Sequence, residues 1–226
     1  MTDSPWTADR AALGAALAVY LVADPEQSAS GDLVADTAAA LAGGATSVQL
    51  RAKHLSDLDA FHLASTLATL CRSHRVPFLV NDRLDVALAV GADGLHVGLT
   101  DLPISVVRRL SQDRLLVGWS PETEQQVLAA AAEGADYIGI GPVFPTGSKA
   151  DAAAVVGLDG LGRRAALTPL PTVGIGGITI ASAASVVASG ADGVAVISAI
   201  LRATDPEAAT RCLREAVASA RPEQRR

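Results

Sequence analysis

Aromatic residues are nearly missing from this chain. Three Phe, two Tyr and two Trp make up 3% of 226 residues, so a core built on large rings is excluded. Half of the chain is apolar, and the core is expected to be Ala, Val, Leu and Ile. Cysteine is scarce too: Cys71 and Cys212 stand far apart, each in a helix-like segment, which suggests neither a disulfide framework nor a zinc site. A reducing cytoplasm is the expected compartment. There is no excess of positive charge. Eighteen basic against 24 acidic residues give a net charge of −6, which argues against a general affinity for nucleic acid or an anionic membrane and leaves local basic clusters to bind phosphate. Long apolar runs are absent as well, because Gly, Pro or charge interrupts each of them before it could span a bilayer. Met1 to Arg10 has no apolar stretch of the kind a signal peptide needs. A soluble, unprocessed protein is expected, and its oligomeric state stays open.

What is present is a regular alternation of short apolar runs with helical periodicity. Runs at Leu17–Ala23, Ser47–Arg51, Val76–Val80, Gly94–Val97, Leu115–Trp119, Tyr137–Val143, Pro171–Ile175 and Gly193–Ile197 read as buried strands. Between and after them, helices are expected at Leu33–Ala42, Leu58–His74, Leu84–Val90, Ile104–Leu110, Glu122–Glu133, Gly157–Ala166, Ile180–Ser189 and Asp205–Ser219. Strands alternating with helices specify parallel βα units with right-handed crossovers. A closed (βα)8 TIM barrel over 1–226 is the expected fold, with a polar lead-in at 1–16 and a disordered tail at 220–226. A doubly wound open sheet is the competitor, but its Gly-x-Gly-x-x-Gly fingerprint is missing after the first strand. An internal echo supports the barrel: Gly91-Ala92-Asp93, Gly134-Ala135-Asp136 and Gly190-Ala191-Asp192 each lie between a helix and the next strand. They belong to the stability face, and no catalytic role is expected of their aspartates.

Polar residues follow the strand runs. In Val48-Gln49-Leu50-Arg51-Ala52-Lys53 they occupy every second position, so Gln49, Arg51 and Lys53 emerge together and suggest an anion site. Asn81-Asp82, Asp101, Ser120, Thr146-Gly147-Ser148-Lys149, Gly176-Gly177 and Ile197-Ser198 each follow another strand-like run. Carboxylates at Asp82 and Asp101 beside the cations Arg51, Lys53 and Lys149 make sense if a Mg2+ ion bridges them to a diphosphate. Either aspartate could instead cap the helix that follows it. Gly176-Gly177 and Ile197-Ser198 offer backbone N–H groups for a second, single phosphate, in the loops that commonly bind phosphate in barrels. A plain tight turn is the other reading of the glycine pair. His96 is open between a packed core histidine and a substrate contact, and Trp119 between a pocket wall and packing against a helix.

Taken in order, Val48-Gln49-Leu50-Arg51-x-Lys53, Asn81-Asp82, His96-Val97-Gly98-x-x-Asp101, Gly139-x-Gly141-Pro142-Val143-Phe144-Pro145-Thr146 with Lys149, Gly174-Ile175-Gly176-Gly177-Ile178 and Asp192-Gly193-Val194-Ala195-Val196-Ile197-Ser198 resemble the thiamine phosphate synthase family. The resemblance spans roughly Tyr20 to Leu213. It implies a Mg2+-dependent transferase that joins hydroxymethylpyrimidine diphosphate to a thiazole phosphate, with diphosphate leaving before the thiazole nitrogen attacks. It would place Gln49, Arg51, Lys53, Asn81, Ser120 and Lys149 around the pyrimidine diphosphate, with Arg51, Lys53, Lys149 and Ser120 as the catalytic set. Asp82 and Asp101 would bind Mg2+, and Thr146, Ser148, Gly177, Ile197 and Ser198 the thiazole phosphate.

Several positions depart from the family pattern: Leu99 in place of Gln, Ala52 in place of an acidic residue, Gly147-Ser148 in a loop that more often reads x-Thr, and Pro121-Glu122 where a small residue and His are frequent. A thiazole tautomerase of the same barrel family is the alternative, but Glu122 replaces the His expected there for proton transfer. A non-catalytic binder of thiazole or thiamine phosphate would be expected to lack the Mg2+ ligands. Phe144 to Val156 is expected to close over the site as a lid.

Overall fold

The computed structural model describes residues 10–147 and 154–221. Strands β1 (Val19–Ala23), β2 (Ser47–Leu50), β3 (Phe78–Asn81), β4 (Gly94–Val97), β5 (Leu116–Trp119), β6 (Tyr137–Ile140), β7 (Thr172–Ile175) and β8 (Gly193–Val196) pair in parallel in sequence order, and β8 returns to β1. The expected barrel is therefore closed. Its strands are buried on both faces because helices cover the outside: α2 (Leu33–Ala42), α3 (Asp57–His74), α4 (Leu84–Val90), α5 (Ile104–Ser111), α6 (Glu124–Glu133), α7 (Gly157–Ala165), α8 (Ile180–Ala188) and α10 (Pro206–Ala220). This is why the strand runs read as continuously apolar rather than alternating.

Two short helices escaped the sequence reading. α1 (Arg10–Ala16) lies inside the expected polar lead-in and buries Leu13, Gly14 and Ala16. It is tied to the N-terminal end of β8 by Arg10 Nη2 to Asp192 at 3.3 Å and by Arg221 Nη2, which donates to the Gly14 carbonyl. α9 (Ser198–Leu201) follows β8 directly. The sixth strand is shorter than expected and its ladder stops at Ile140, because Pro142 has no N–H to donate and Gly141 sits against the Ile175 carbonyl, where a Cβ would come within 2.1 Å. The fifth outer helix starts at Glu124 rather than Glu122, set by a Thr123/Gln126 capping box. The expected tail begins at the last residue of α10, and 222–226 lie outside the described residues.

The repeated Gly-Ala-Asp segments are clamps at the N-terminal end of the barrel. Asp93 Oδ2 accepts from Phe78 N at 2.9 Å, Asp136 Oδ2 from Val117 N at 2.7 Å and Asp192 Oδ2 from Thr172 N at 2.8 Å. The backbone N–H of each aspartate returns a bond to the carbonyl of the same strand residue. Thr46 completes the series between β1 and β2, its Oγ1 accepting from Val19 N at 2.9 Å while its N–H donates to Val19 O. The last helix and the next strand of each pair are thus locked to the strand before, at the end opposite the polar loops. These aspartates carry stability, as expected from the sequence.

Candidate active site

At the C-terminal ends of the strands the barrel opens into a cavity of about 390 Å³. Arg51 and Lys53 enter it from the end of β2, Asn81 and Asp82 from β3, Asp101 from the loop after β4, and Ser120 from β5. Thr146 and Gly177 line the side nearer β6 and β7, with Ile197 and Ser198 at the exit of β8. Ten of the thirteen expected site residues therefore share one cavity: Arg51, Lys53, Asn81, Asp82, Asp101, Ser120, Thr146, Gly177, Ile197 and Ser198. Ser148 and Lys149, with the middle of the expected lid (148–153), lie outside the described residues. Gln49 is buried and bonded beneath the cavity.

The charges are arranged in pairs. Arg51 Nη1 donates to Asp24 Oδ2 at 2.5 Å, with both side chains almost wholly buried. Asp24 also accepts from Glu26 N, so the guanidinium is held in one direction by a carboxylate that is itself fixed. Asp24, the residue after β1, was not singled out in the sequence. Lys53 Nζ lies 3.6 Å from Asp82 Oδ2. Asp82 has a left-handed backbone, φ 62°, a conformation that Asp tolerates better than most residues. Burial, followed by a hydrogen bond and repulsion from Asp101, pushes its carboxyl up to about 6, while Lys53 and Arg51 pull it down. Neither aspartate caps a helix through its side chain: α4 and α5 have no side-chain cap bond, and Asp101 Oδ2 accepts from Gly98 N at 2.7 Å within its own loop.

Two carboxylates this close repel each other unless a proton or a cation lies between them. Among the described residues no group of three or more His, Cys, Asp or Glu side chains could hold a metal. A cage made of protein alone is thus not offered. A pair of carboxylates does fit Mg2+, which is typically held by one or two carboxylates together with substrate phosphate oxygens and water.

Below the cavity the barrel interior is polar where such barrels are usually filled by Val, Ile and Leu. Gln49 Nε2 donates to Tyr20 Oη at 2.6 Å, Tyr20 and Tyr137 hydroxyls lie 2.9 Å apart, and Tyr137 Oη is 3.0 Å from His96 Nδ1. His96, at the top of this layer, itself lines the cavity, and its Nε2 lies 2.8 Å from Ser120 Oγ. Gly118 makes this layer possible, since a Cβ there would fall within 2.4 Å of both Tyr137 and His96. Burial drives both phenols well above their ordinary pKa. They remain protonated, each with one proton to donate. Sequence reasoning missed both tyrosines, although they are the only two in the chain.

The opposite side of the cavity is built from backbone. Gly176 and Gly177 have φ of 95° and 64°, and a Cβ on Gly177 would come 2.5 Å from the Pro145 carbonyl. Glycine is therefore demanded at this turn by conformation and by space. Leu99, 43% exposed, and Glu122 line the cavity rim. Trp119 does not line it and packs against the core instead, which settles that alternative in favour of packing.

A family model described as thiamine monophosphate synthase matches residues 19–200. The chain belongs to the thiamine monophosphate synthase family. It is 53% identical over 194 residues to the thiamine-phosphate synthase of Laribacter hongkongensis (strain HLHK9), covering 85% of this chain and 92% of that one. The thiamine-phosphate synthase of Moorella thermoacetica is 50% identical over 182 residues, covering 80% and 87%. Among solved structures, thiamine phosphate pyrophosphorylase from Pyrococcus furiosus superposes with a TM-score of 0.86 at 38% identity, covering 93% of this chain and all of that one. A 3-hexulose-6-phosphate synthase, at 20% identity and a TM-score of 0.64 over 88% of this chain and 99% of the other, shares the fold.

Proposed function

We propose that this member of the family is a Mg2+-dependent transferase that joins hydroxymethylpyrimidine diphosphate to a thiazole phosphate, giving thiamine phosphate and diphosphate. The observation that carries this is the two-sided cavity: Arg51, Lys53, Asp82 and Asp101 on one side, the Gly176-Gly177 turn and the β8 exit on the other. One side suits a diphosphate with its metal, the other a single phosphate bound by backbone N–H groups. In the reaction the C–O bond to diphosphate breaks with its electron pair leaving on the diphosphate. The thiazole nitrogen then supplies the pair for the new C–N bond.

Asp82 and Asp101 would hold Mg2+, which when bound supplies charge neutralisation for the leaving diphosphate. Arg51, fixed by Asp24, and Lys53 add fixed positive charge on the same group. Lys149, three residues after Thr146 in the sequence, is assigned to the diphosphate as well. Ser120 and Asn81 orient the pyrimidine, with Gln49 supporting it from below, while Thr146, Ser148, Gly177, Ile197 and Ser198 align the thiazole phosphate for attack. No protein nucleophile is required, so catalysis rests on charge stabilisation and alignment. We assign the activity to the cytoplasm; no helix among the described residues is long and apolar enough to cross a membrane.

The deciding experiment measures diphosphate and thiamine phosphate together, with both substrates and Mg2+ and with each omitted in turn. Equal release of both products only in the complete mixture is the expected result. Binding of thiazole phosphate without either product would refute the synthase reading.

A further inference from the structure

The polar layer beneath the cavity has a direction that follows from counting protons. Gln49 donates Nε2–H to Tyr20 Oη. Tyr20 has a single hydroxyl proton, and the other oxygen within reach is Tyr137 Oη, so that proton points to Tyr137. Tyr137, accepting there, spends its own proton on His96 Nδ1. An imidazole accepting at Nδ1 carries its proton on Nε2, and that N–H faces Ser120 Oγ at 2.8 Å. Ser120, accepting from below, has its own proton left to donate upward, where its side chain borders the cavity.

We propose that Tyr20, Tyr137 and His96 are positioning residues: with Gln49 they form a one-way hydrogen-bonded chain that fixes His96 as its Nε2–H tautomer and turns the Ser120 hydroxyl into a donor toward a ring nitrogen of the bound pyrimidine. The choice of the pyrimidine rests on the function proposed above. The physical motive is the cost of the layer. Tyr20 and Tyr137 are 1% and 0% exposed and Gln49 4%, and buried polar groups persist only when fully partnered. Apolar residues of the same shape would fill this level of the barrel at less risk. The chain of bonds instead carries an orientation from β1 and β2, through β6 and β4, to β5. It aligns a serine that would otherwise be free to rotate and to accept or donate.

The chain predicts non-additivity. If Tyr137 acts on substrate through His96 and Ser120, removing its hydroxyl matters only while Ser120 has one. Tyr137→Phe and Ser120→Ala should each lower kcat/KM for the pyrimidine diphosphate by about tenfold or more, the worth of one lost or misdirected hydrogen bond. The loss should lie in KM more than in kcat, because the serine orients the ring and takes no part in expelling the diphosphate. The double variant should be no worse than Ser120→Ala alone. KM for thiazole phosphate should stay within about twofold in all three. Losses that multiply in the double variant would overturn the proposal, since they would make Tyr137 a packing residue.

A second measurement does not depend on activity. The protein has four histidines, so imidazole nitrogen resonances can be assigned by comparison with His96→Gln. In the free wild-type protein above neutral pH, His96 should be wholly in the Nε2–H form, and Tyr137→Phe should mix the two tautomers. Tyr20→Phe, one bond further away, should give a smaller change of the same sign. His96 found as the Nδ1–H tautomer in wild type would overturn the chain while leaving the synthase reading intact. A wild-type protein that has the Nε2–H tautomer but forms no thiamine phosphate would overturn the pyrimidine as the recipient, and with it the function proposed above.

Discussion

Replacing Asp82 by Asn should make the metal-free protein more stable and nearly inactive. The carboxyl is pushed from 3.8 to about 6, first by burial and then by Asp101. At 1.4 kcal/mol for each tenfold change in proton affinity, that corresponds to about 3 kcal/mol of unfavourable charge at neutral pH. The side chain is still 24% exposed, and screening brings the expected cost to about 1–2 kcal/mol. Asn keeps the shape and tolerates the left-handed φ of 62°, so the backbone adds no new strain. For a chain of this length the gain converts to a rise in Tm of about 2–8 °C. The sign follows from linkage. The folded protein binds this proton more tightly than the unfolded chain, so the penalty is complete above about pH 6, shrinks as pH falls through that value and is gone below about pH 4. Thermal unfolding of both proteins in chelator at about pH 8 and about pH 4 tests this, and added Mg2+ should raise the wild type while leaving the variant unmoved. Equal Tm values at high pH, or a gap that persists at low pH, would refute the argument that the Asp82 charge, half-buried beside Asp101, destabilises the metal-free fold.

Three further outcomes follow. Asp101→Ala should lower turnover by orders of magnitude with the fold intact, as should chelation of Mg2+ in wild type; normal metal-dependent activity in the variant, measured by diphosphate release, would remove Asp101 from the metal site. Asp24→Ala leaves the buried Arg51 guanidinium without its partner at 2.5 Å and should cost about 3–5 kcal/mol in denaturant unfolding, with loss of affinity for diphosphate. Gly177→Ala puts a Cβ within 2.5 Å of the Pro145 carbonyl at φ 64°; it should cost about 1–3 kcal/mol and raise KM for thiazole phosphate more than for the pyrimidine diphosphate.

The barrel was legible in the chain because parallel strands covered by helices are mostly apolar on both faces, and runs such as Leu-Val-Gly-Trp at β5 or Gly-Val-Ala-Val at β8 have that character. The cavity was legible because side chains alternate along a strand: Arg51 and Ser120 could be aimed at the C-terminal mouth from sequence position alone. The clamp aspartates were read correctly as belonging to the other end. α1 was missed since its apolar face, Leu13 to Ala16, is short and gains meaning only against the base of the barrel. Asp24 was missed because nothing local marks a strand-end aspartate as the partner of an arginine 27 residues later.

What the sequence determined by itself was thus the order of elements, the closed barrel and the set of polar groups at one rim, all consequences of periodicity within single segments. What only the tertiary structure decided was who faces whom across the barrel. Tyr20 and Tyr137 are 117 residues apart and meet solely because closure brings the inward faces of β1 and β6 together. The approach of Asp82 to Asp101 needs only the pairing of neighbouring β3 and β4, whereas the layer that joins Gln49 to Ser120 through Tyr20 and Tyr137 depends on the same closure. Local patterning sets which face of a strand a residue occupies, whereas distance across the barrel depends on the register of all eight strands at once.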